Sequence, residues 1–446
     1  MKQIRIFAFL LFVVTLLVSC NTDADIGQQP ESTQHVCKFE RITDDAYLVS
    51  VGNCHAPAIY QAVCKCGTLG EEYTMEGTFA HTDADGNFVC DTCKNLLGEL
   101  NYNAVILEVK DGRNAIVTMT FDDGHYPTAE ALNRLLEKYD LSASLMMVTK
   151  NVGDTEPWEF LLKNGRLDTQ CHSYSHKVIA PPSYSAHNPN NNTPDVIQRE
   201  IVDSKADMDQ LFPEQDCLVF AVPNSITIPE SEKAIMETYY AARSGLLGSV
   251  DKVQSLDPIA SSEAGGWYNP YIVRFRYNTG VDKIENTVKY LDACVENGGW
   301  FISLCHGIVN SGGIHYDMSI EHAQELFAVL QTYSNDGKIW CATYGDAVKY
   351  IRERQNSTVT QYANENGIFV ELTMSDMTED SLPLPADVFD MPLTVKITVP
   401  NEWESITYTQ GENSAVAETY TQNGQRYANV DLIPNGGVAS ITDANC

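Results

Sequence analysis

An adjacent pair of acidic residues at the end of an apolar run is the feature that most constrains the fold of this chain. The run Ala115–Phe121 is apolar and β-branched, and Asp122, Asp123 and Gly124 follow it at once. Such a run predicts a strand in the core of a sheet, with the acidic pair where the strand gives way to a loop. Two neighbouring carboxylates at the mouth of a buried strand are costly unless a partner compensates their charge. A metal ion bound by one carboxylate, with the other left as a base, would justify both.

The chain around this pair alternates short apolar strands with amphipathic helices, from about residue 101 to residue 357. One predicted helix, over 128–139, carries a clear apolar stripe that includes Leu132, Leu135 and Leu136. Alternation of this kind predicts a mostly parallel sheet or a β/α barrel. Further strands are predicted at 143–148, 218–222, 300–305 and 339–342, and further helices at 195–211, 231–240, 283–297, 320–333 and 344–354.

The pattern changes after residue 357. Short β-type runs at 369–374, 393–399, 405–408 and 428–433 are separated by Asn, Gly and Pro. These runs predict a small antiparallel, sandwich-like accessory domain over 358–446. We interpret it as a packing cap on the preceding domain, with substrate binding as the alternative.

A cysteine-rich module is predicted over 35–100. Spacings such as Cys-x-Cys-Gly followed by Cys-x-x-Cys are those of zinc ribbons, in which tight turns offer pairs of thiolates to one ion. In an oxidising compartment the same six cysteines could form three disulfides, and a mixture of both is a further alternative. The six are Cys37, Cys54, Cys64, Cys66, Cys90 and Cys93.

The N-terminus predicts export and anchoring. A short basic start is followed by the apolar stretch Ile6–Val18, which is too short and wrongly flanked for a membrane-spanning helix. The sequence Leu17–Cys20 resembles a bacterial lipobox, so we expect a lipoprotein signal peptide over 1–20, a lipid anchor at Cys20 and a polar tether over 21–34. A plain secretory signal is the alternative. We expect the protein in the cell envelope outside the cytoplasm, at the outer membrane or cell surface.

Charge restricts the partners. The formal net charge is -31 over 446 residues. Such an acidic chain is not expected to bind nucleic acid or an anionic membrane surface, so contact with a membrane would come only through the lipid anchor. A neutral or cationic glycan suits this charge, and the oligomeric state is left open.

Two histidine motifs supply further ligand and acid candidates. His172 and His176 are four residues apart, which on a helical turn would direct both imidazoles to one ion. His306 ends the predicted strand 300–305 and would face the same mouth if the strands are parallel. A hydrolytic metal site needs such a proton donor for its leaving group.

Together these motifs carry a family resemblance. Thr120–Gly124, His172–His176 and Leu304–His306 resemble, in this order and spacing, the polysaccharide deacetylases of the NodB-homology group, carbohydrate esterase family four. The resemblance extends over about residues 101–356 and implies a distorted (β/α) barrel, so the whole chain is expected to be α/β with two smaller modules.

The resemblance also implies a division of roles in a metal-dependent deacetylase. Asp123, His172 and His176 would bind a divalent metal, Asp122 would be the general base that activates water, and His306 would protonate the leaving group. Zinc is the expected ion, with cobalt, nickel, manganese or iron as alternatives. The substrate would be a polysaccharide with N-acetyl or O-acetyl groups, such as peptidoglycan, chitin-type chains or acetylated xylan.

One motif departs from the family. Many members have Arg-x-Pro-Tyr, with the arginine supporting the catalytic aspartate, where this chain reads Ala221–Asn224. We hypothesise that Arg243 orients Asp122 instead. A glycan-binding lipoprotein with a degenerate deacetylase domain, and a hydrolase of another non-peptide amide on the same fold, are the alternative functions.

Overall fold

The structure is a computed structural model, which describes residues 36–52, 56–75, 104–243, 246–247, 254–256, 271–274, 284–309, 317–364, 367–378 and 382–444. The chain divides into two compact units, residues 1–80 and residues 81–446. Within the described ranges, no helix has both the length and the apolar character needed to cross a bilayer. The signal peptide and tether predicted over 1–34, with Cys20, lie outside the described residues, as do Cys54, Cys90 and Cys93.

The first unit contains a small antiparallel sheet. Its strands are β1 (Phe39–Glu40), β2 (Leu48–Ser50), β3 (Ile59–Cys64) and β4 (Leu69–Thr74). Strand β3 is central and pairs with the other three. This sheet holds Cys37, Cys64 and Cys66 of the predicted cysteine-rich module, so that module is confirmed in part.

The second unit contains a curved parallel sheet with its helices and an antiparallel β domain. Its strands are β5 (Ala104–Ile106), β6 (Ala115–Phe121), β7 (Ala143–Met147), β8 (Leu167–Cys171), β9 (Val219–Ala221), β10 (Ala241–Arg243), β11 (Leu246–Leu247), β12 (Gln254–Ser255), β13 (Tyr271–Arg274), β14 (Gly299–Cys305), β15 (Ile308–Val309), β16 (Met318–Ser319), β17 (Ile339–Cys341), β18 (Ser357–Asn364), β19 (Gly367–Met374), β20 (Leu393–Val399), β21 (Ser405–Gln410), β22 (Asn413–Gln422), β23 (Gln425–Leu432) and β24 (Ala439–Asp443). Its helices are α1 (Tyr126–Tyr139), α2 (Glu156–Leu162), α3 (Pro194–Ile197), α4 (Asp203–Leu211), α5 (Pro229–Thr238), α6 (Ile284–Asn297), α7 (Ile320–Asn335) and α8 (Tyr344–Asn356).

The parallel sheet has the order β10-β9-β8-β7-β6-β14-β13-β11. All neighbours along this path are parallel, β17 adds to the start of β6 in parallel, and β12 adds to β14 antiparallel. Parallel strands joined by helices are the arrangement that the alternating pattern predicts. The predicted α/β class and distorted barrel are therefore confirmed.

Strand β6 is buried along its whole length, in keeping with its apolar and β-branched sequence, in which Thr118 and Thr120 are the polar residues. One face of the sheet, which includes Val117 and Phe121 of β6, packs against an outer layer that includes α1, α2, α6 and α7. The other face, which includes Ile116, packs against α8 and against Phe389 from the segment before β20. The central strand thus lies between two apolar layers, and only its carboxyl end reaches a polar site.

The C-terminal β domain is antiparallel, as predicted. Its strand order is β18-β19-β24-β21-β22-β23-β20-β5. The long strand β22 pairs with β21 through residues 413–418 and with β23 through 419–422, so its two halves serve two sheets around one apolar core. Strand β5 precedes the barrel in sequence but forms the edge next to β20, and Lys110 makes an ion pair with Asp431 at 2.7 Å.

Glu353 is a buried carboxyl group between α8 and the segment before β20. Its Oε1 accepts a hydrogen bond from the backbone N–H of Met391 at 2.9 Å, whereas Oε2 has no hydrogen-bond partner within the described ranges. Burial, together with nearby Asp390, raises the pKa of Glu353 to about 8 from an ordinary value of 4.5. The native state therefore holds a proton that the unfolded chain releases, and stability falls as pH rises from 4.5 towards 8.

We expect Glu353→Gln to stabilise the protein above neutral pH, because the neutral amide avoids the cost of ionising a buried carboxyl group. The gain at pH 8 should be roughly 1–4 kcal/mol and should vanish near pH 4. Thermal unfolding at both pH values measures it, with exposed Glu402→Gln as the control. An equal effect at both pH values would contradict the assignment.

Candidate metal centre

The candidate residues follow the carboxyl ends of neighbouring parallel strands. Asp122 and Asp123 follow β6, His306 follows β14, His172 follows β8, and Arg243 is the last residue of β10. In the sheet register Phe121 lies opposite Cys305, and the backbone N–H of Asp122 donates to the carbonyl of Cys305 at 2.8 Å. Because parallel strands end at one edge, residues far apart in sequence meet there.

Asp123 and His172 form a compact group of ligand atoms with His176. The carboxylate of Asp123 and the imidazoles of His172 and His176 each offer one atom within 4.8 Å of the others. Nε2 of His172 and Nε2 of His176 both lie 3.8 Å from Oδ1 of Asp123. Two imidazole nitrogens and one carboxylate oxygen, with further coordination positions left open, are typical of catalytic zinc sites. These residues could hold a divalent metal ion.

The protonation state of His172 fits this role. Its Nδ1 lies 2.7 Å from the carbonyl oxygen of Ala221, so Nδ1 carries the proton and donates it. Burial, aided by the neighbouring charge of His176, lowers the pKa of His172 to about 4 despite the nearby aspartates. The neutral ring therefore presents the lone pair of Nε2 to Asp123 and His176, and a backbone carbonyl fixes the orientation of the ring.

The loop between the two histidines is not the helical turn that their spacing predicts, so that prediction is wrong. Ser173 and His176 have positive φ angles of 70° and 58°, outside the range of a right-handed helix. The hydroxyl of Ser173 accepts a hydrogen bond from the backbone N–H of His176 at 2.9 Å. A tight loop, closed by this serine, brings the two imidazoles together.

The turn after β6 is also strained. Asp123 has a φ of 72°, and Gly124 follows with a φ of 64°. A Cβ atom at Gly124 would lie 2.9 Å from the sulfur of Met147 and would displace that side chain, and the positive φ also favours glycine here. Strain of this kind at a strand end, held by a packed neighbour, is common at functional sites.

Asp122 is buried and paired with Arg243. The guanidinium donates from Nη2 to Oδ1 of Asp122, and both side chains are almost fully buried. Burial is the largest influence and opposes ionisation, but Arg243 and His172 outweigh it and hold the pKa of Asp122 below its ordinary value. The structure thus places the hypothesised arginine, rather than a residue of the 221–224 motif, against this carboxylate.

Asp123 has two further histidine neighbours. Nε2 of His306 lies 3.9 Å and Nε2 of His125 lies 3.7 Å from Oδ2 of Asp123. Burial opposes ionisation of Asp123, but these histidines and the two ligand candidates hold its pKa well below the ordinary value. His125 was missed from the sequence, although its place directly after the Asp-Asp-Gly turn was a signal that could have found it.

Glu200 is a second residue that the sequence interpretation missed. It is buried, and its carboxylate accepts hydrogen bonds from the backbone N–H of Ser175 at 2.8 Å and from the Ser175 hydroxyl at 2.6 Å. Glu200 lies in a π-helical turn, Gln198–Val202, between α3 and α4. Such single turns are often found at functional sites, and here the turn directs a carboxylate at the histidine loop.

An open cavity of about 340 Å³ lies beside Asp123. Its lining combines backbone and polar side chains with aromatic ones, which is the mixture expected for a small polar ligand. The residues that line it are Asp123, Gly124, His125, Tyr126, Asn151, Val152, Asp154, Pro157 and Trp158.

Part of the sequence matches a known protein family. Residues 110–240 match the family described as polysaccharide deacetylase. That segment contains Asp122, Asp123, His172 and His176, whereas Arg243 and His306 lie beyond it.

Individual relatives are distant. A gellan lyase from a Bacillus species is 24% identical over 343 residues, which cover 74% of this chain but only 13% of that protein. A solved structure from Mycobacterium smegmatis, provisionally named a polysaccharide deacetylase, is 13% identical with a TM-score of 0.41 and covers 56% of this chain and 93% of its own. A family 4 acetyl xylan esterase from Clostridium thermocellum, solved with cobalt, is 19% identical with a TM-score of 0.31, over 52% and 89% of the two chains.

We expect Glu200→Gln to weaken metal binding by about 10- to 100-fold, because the loop that carries both histidines loses its charged acceptor. The NH2 group of glutamine could face the backbone N–H of Ser175, and two hydrogen-bond donors would then lie against each other. Titration of the metal-free protein with Zn²⁺ under a competing chelator measures the change.

The matched control is Glu214→Gln, which removes an exposed carboxylate after α4. It should bind Zn²⁺ like the wild type. If Glu200→Gln folds and binds Zn²⁺ with unchanged affinity, Glu200 does not position the loop.

Proposed function

We propose that the protein is a metal-dependent hydrolase of acetyl groups on a polysaccharide. The match of residues 110–240 to the polysaccharide deacetylase family supports this proposal. The observation that carries this proposal is the convergence of three ligand candidates with a buried, arginine-paired carboxylate at one edge of the parallel sheet. A purely structural metal site would not need Asp122, a carboxylate that lies beside the ligands without being one of them.

In this proposal Asp123, His172 and His176 hold the metal ion. When bound there, a divalent ion lowers the pKa of water and polarises the acetyl carbonyl. Two imidazoles and a carboxylate suit zinc, and cobalt, nickel, manganese or iron fit the same donor set. The role of these residues is to place the ion beside the cavity with positions open for water and substrate.

Asp122 takes a proton from the attacking water. Its Oδ1 is held by Arg243, while Oδ2 lies 3.7 Å from Nε2 of His172 and so faces the site. The depressed pKa keeps the carboxylate ionised at neutral pH and thus able to accept a proton. Arg243 is a positioning residue, since it acts on the reaction only through Asp122.

His306 protonates the leaving group. It approaches Oδ2 of Asp123, whereas His172 and His176 approach Oδ1 of the same carboxylate. The proton donor His306 and the two histidine ligands therefore lie near different oxygens of Asp123. This arrangement keeps His306 apart from the metal position. The proton goes to the departing nitrogen or oxygen of the sugar, and acetate is released.

The developing negative charge on the carbonyl oxygen needs a donor besides the ion. In the loop after β9 the N–H of Val222 donates to the carbonyl of Arg243, and that of Ser225 donates to the carbonyl of Val222. We assign the role of donor to the carbonyl oxygen to the backbone N–H of Asn224. This residue lies in sequence between Val222 and Ser225, whose N–H groups are engaged in the loop, and has a φ of 55°. An asparagine tolerates this left-handed conformation better than most residues.

The cavity beside Asp123 and the formal net charge of -31 support a neutral or cationic glycan as the substrate. An open cavity of about 340 Å³ lies in the range of small-ligand sites and suits a single sugar ring of a longer chain. N-acetyl groups of peptidoglycan or chitin-type chains and O-acetyl groups of xylan are the candidates. A screen of acetate release from these three glycans, with the bound metal identified by elemental analysis, decides between them.

The localisation belongs to the proposal as well. The basic start, the apolar stretch and Cys20 support a lipid-anchored envelope enzyme, which would bring the active site to polymeric glycans outside the cytoplasm. Metabolic labelling with a fatty acid, lost in Cys20→Ser, tests it.

The degenerate glycan-binding alternative has lost its main support. It depended on the missing arginine of the 221–224 motif, and Asp122 is instead paired with Arg243.

We expect Asp122→Asn to lower the rate of acetate release by about 10²- to 10⁴-fold while the metal is retained, because the amide cannot accept the proton. Acetate release and metal content are measured on the same sample, with Asp140→Asn, which changes a carboxylate at the end of α1, as the control. Loss of the metal from Asp122→Asn would show that Asp122 is a ligand and that the base is elsewhere.

We expect Arg243→Lys and Arg243→Gln to shift the acidic limb of the pH–activity profile to higher pH. Arg243 lowers the pKa of Asp122, so its weakening or removal raises that pKa and delays formation of the active carboxylate. The profile of kcat/KM from below pH 4 to pH 9 measures the shift, which we expect to be smaller for the lysine variant. A drop in activity with an unmoved acidic limb would mean that Arg243 only supports the fold.

A further inference from the structure

The first unit brings three cysteines together. Cys37, Cys64 and Cys66 offer sulfur atoms that all lie within 4.8 Å of one another. The sulfur atoms of Cys37 and Cys66 are 3.6 Å apart. This cluster lies in a different compact unit from the barrel site, and its donors are sulfur alone.

The spacing of the sulfur atoms matches ligands of one ion. With metal–sulfur bonds of about 2.3 Å, two thiolates on a tetrahedral zinc ion are about 3.8 Å apart. The observed 3.6 Å is close to that separation and far above the length of about 2.05 Å of a disulfide bond.

The number of thiols among the described residues also favours an ion. Cys37, Cys64 and Cys66 meet at one point, and a disulfide between any two of them leaves the third sulfur over. A single cation with a preference for thiolate engages all three at once.

The local sequence builds this cluster from a hairpin and the strand beside it. Cys64 ends β3, and the turn to β4 is closed by the N–H of Gly67 donating to the carbonyl of Cys64 at 2.7 Å. Gly67 has a φ of 87°, which glycine adopts without strain. Cys37 lies two residues before Phe39, which pairs with Cys64 across the sheet.

A neighbouring hydroxyl supports the cluster. The side chain of Thr68 lies 3.2 Å from the sulfur of Cys66. A hydroxyl that donates to sulfur favours a thiolate, and outer partners of this kind orient metal ligands.

The described part of this unit, residues 36–52 and 56–75, has a small apolar core. Few of its apolar side chains are buried, while others are exposed, including Val36, Val51 and Leu69. Domains with so little core usually need a disulfide or a metal ion. The buried ones within the described part of the unit are Ala58, Ala62, Val63, Cys64 and Tyr73.

We propose that Cys37, Cys64 and Cys66 form a second, structural metal site for a thiolate-preferring divalent cation such as zinc. The ion links the chain before β1 to the β3–β4 hairpin and so stabilises the sheet. This site is independent of the proposed deacetylase activity, because its donors and its compact unit are separate from those of Asp123, His172 and His176.

Co²⁺ titration of the reduced, metal-free full-length protein tests the proposal. Cobalt bound by several thiolates gives an intense near-ultraviolet charge-transfer absorption that a site of two histidines and an aspartate lacks. We expect this absorption in the wild type, in His176→Ala and in Lys65→Ser, which changes the same turn without removing a thiol. We expect its loss in Cys64→Ser and in Cys66→Ser.

Zinc content and thiol reactivity supply a second measurement that does not depend on the variants. Zn²⁺ added to the reduced wild type should slow alkylation of all three cysteines, identified by peptide mass spectrometry, because bound thiolates are withheld from the reagent. Three results would overturn the proposal: no charge-transfer absorption in the reduced wild type, alkylation unaffected by Zn²⁺, or a Cys37–Cys66 disulfide in protein purified with zinc.

Discussion

The ion pair between Asp122 and Arg243 is the interaction on which the barrel site depends. Both groups are almost fully buried, and removal of one partner of such a pair typically costs about 3–5 kcal/mol because the other charge remains desolvated. The pair also joins β6 to β10, strands at the middle and at the end of the sheet order. Strong curvature of the sheet is therefore needed to bring their ends together. Asp122 can be ionised inside the protein only because the fold brings that guanidinium to it.

The two neighbouring carboxylates differ because their surroundings differ. Asp122 is paired with the guanidinium of Arg243, a permanently charged group that is not a metal ligand. Asp123 is surrounded by imidazoles, which can bind a metal ion together with its carboxylate. The cost of this arrangement appears in the backbone, where Asp123 and His176 both have positive φ angles. Packing at Gly124 and the carboxylate of Glu200 hold these two turns in place. Strain at the ligands is thus balanced by contacts outside the ligand set.

Much of the fold could be predicted from the sequence, because strands buried on both faces, such as β6 and β14, appear in it as runs of mostly apolar residues. The strand β20, predicted at 393–399, has these bounds in the structure. Strand β22 was missed because most of its side chains are exposed, and helix α2 because its seven residues are too few for a periodic stripe. The site residues on strand ends could be named from motifs. The loop at 172–176 was mispredicted since the spacing of four is also reached by a tight turn with positive φ.

Partners from distant segments could not be derived from local pattern. Glu200 belongs to a helical segment whose sequence gives no sign that a π turn rotates one carboxylate towards Ser175. Arg243 ends a three-residue strand, and its pairing with Asp122 could be hypothesised from the sequence but is seen only in the structure. Both residues contact the proposed ligands or the proposed base through one intervening hydrogen bond or loop. For such residues the sequence shows that a charged side chain is present, but the order of strands in the sheet determines which group it contacts. Motifs can therefore list the residues of such a site, whereas their pairing is known only from the three-dimensional structure.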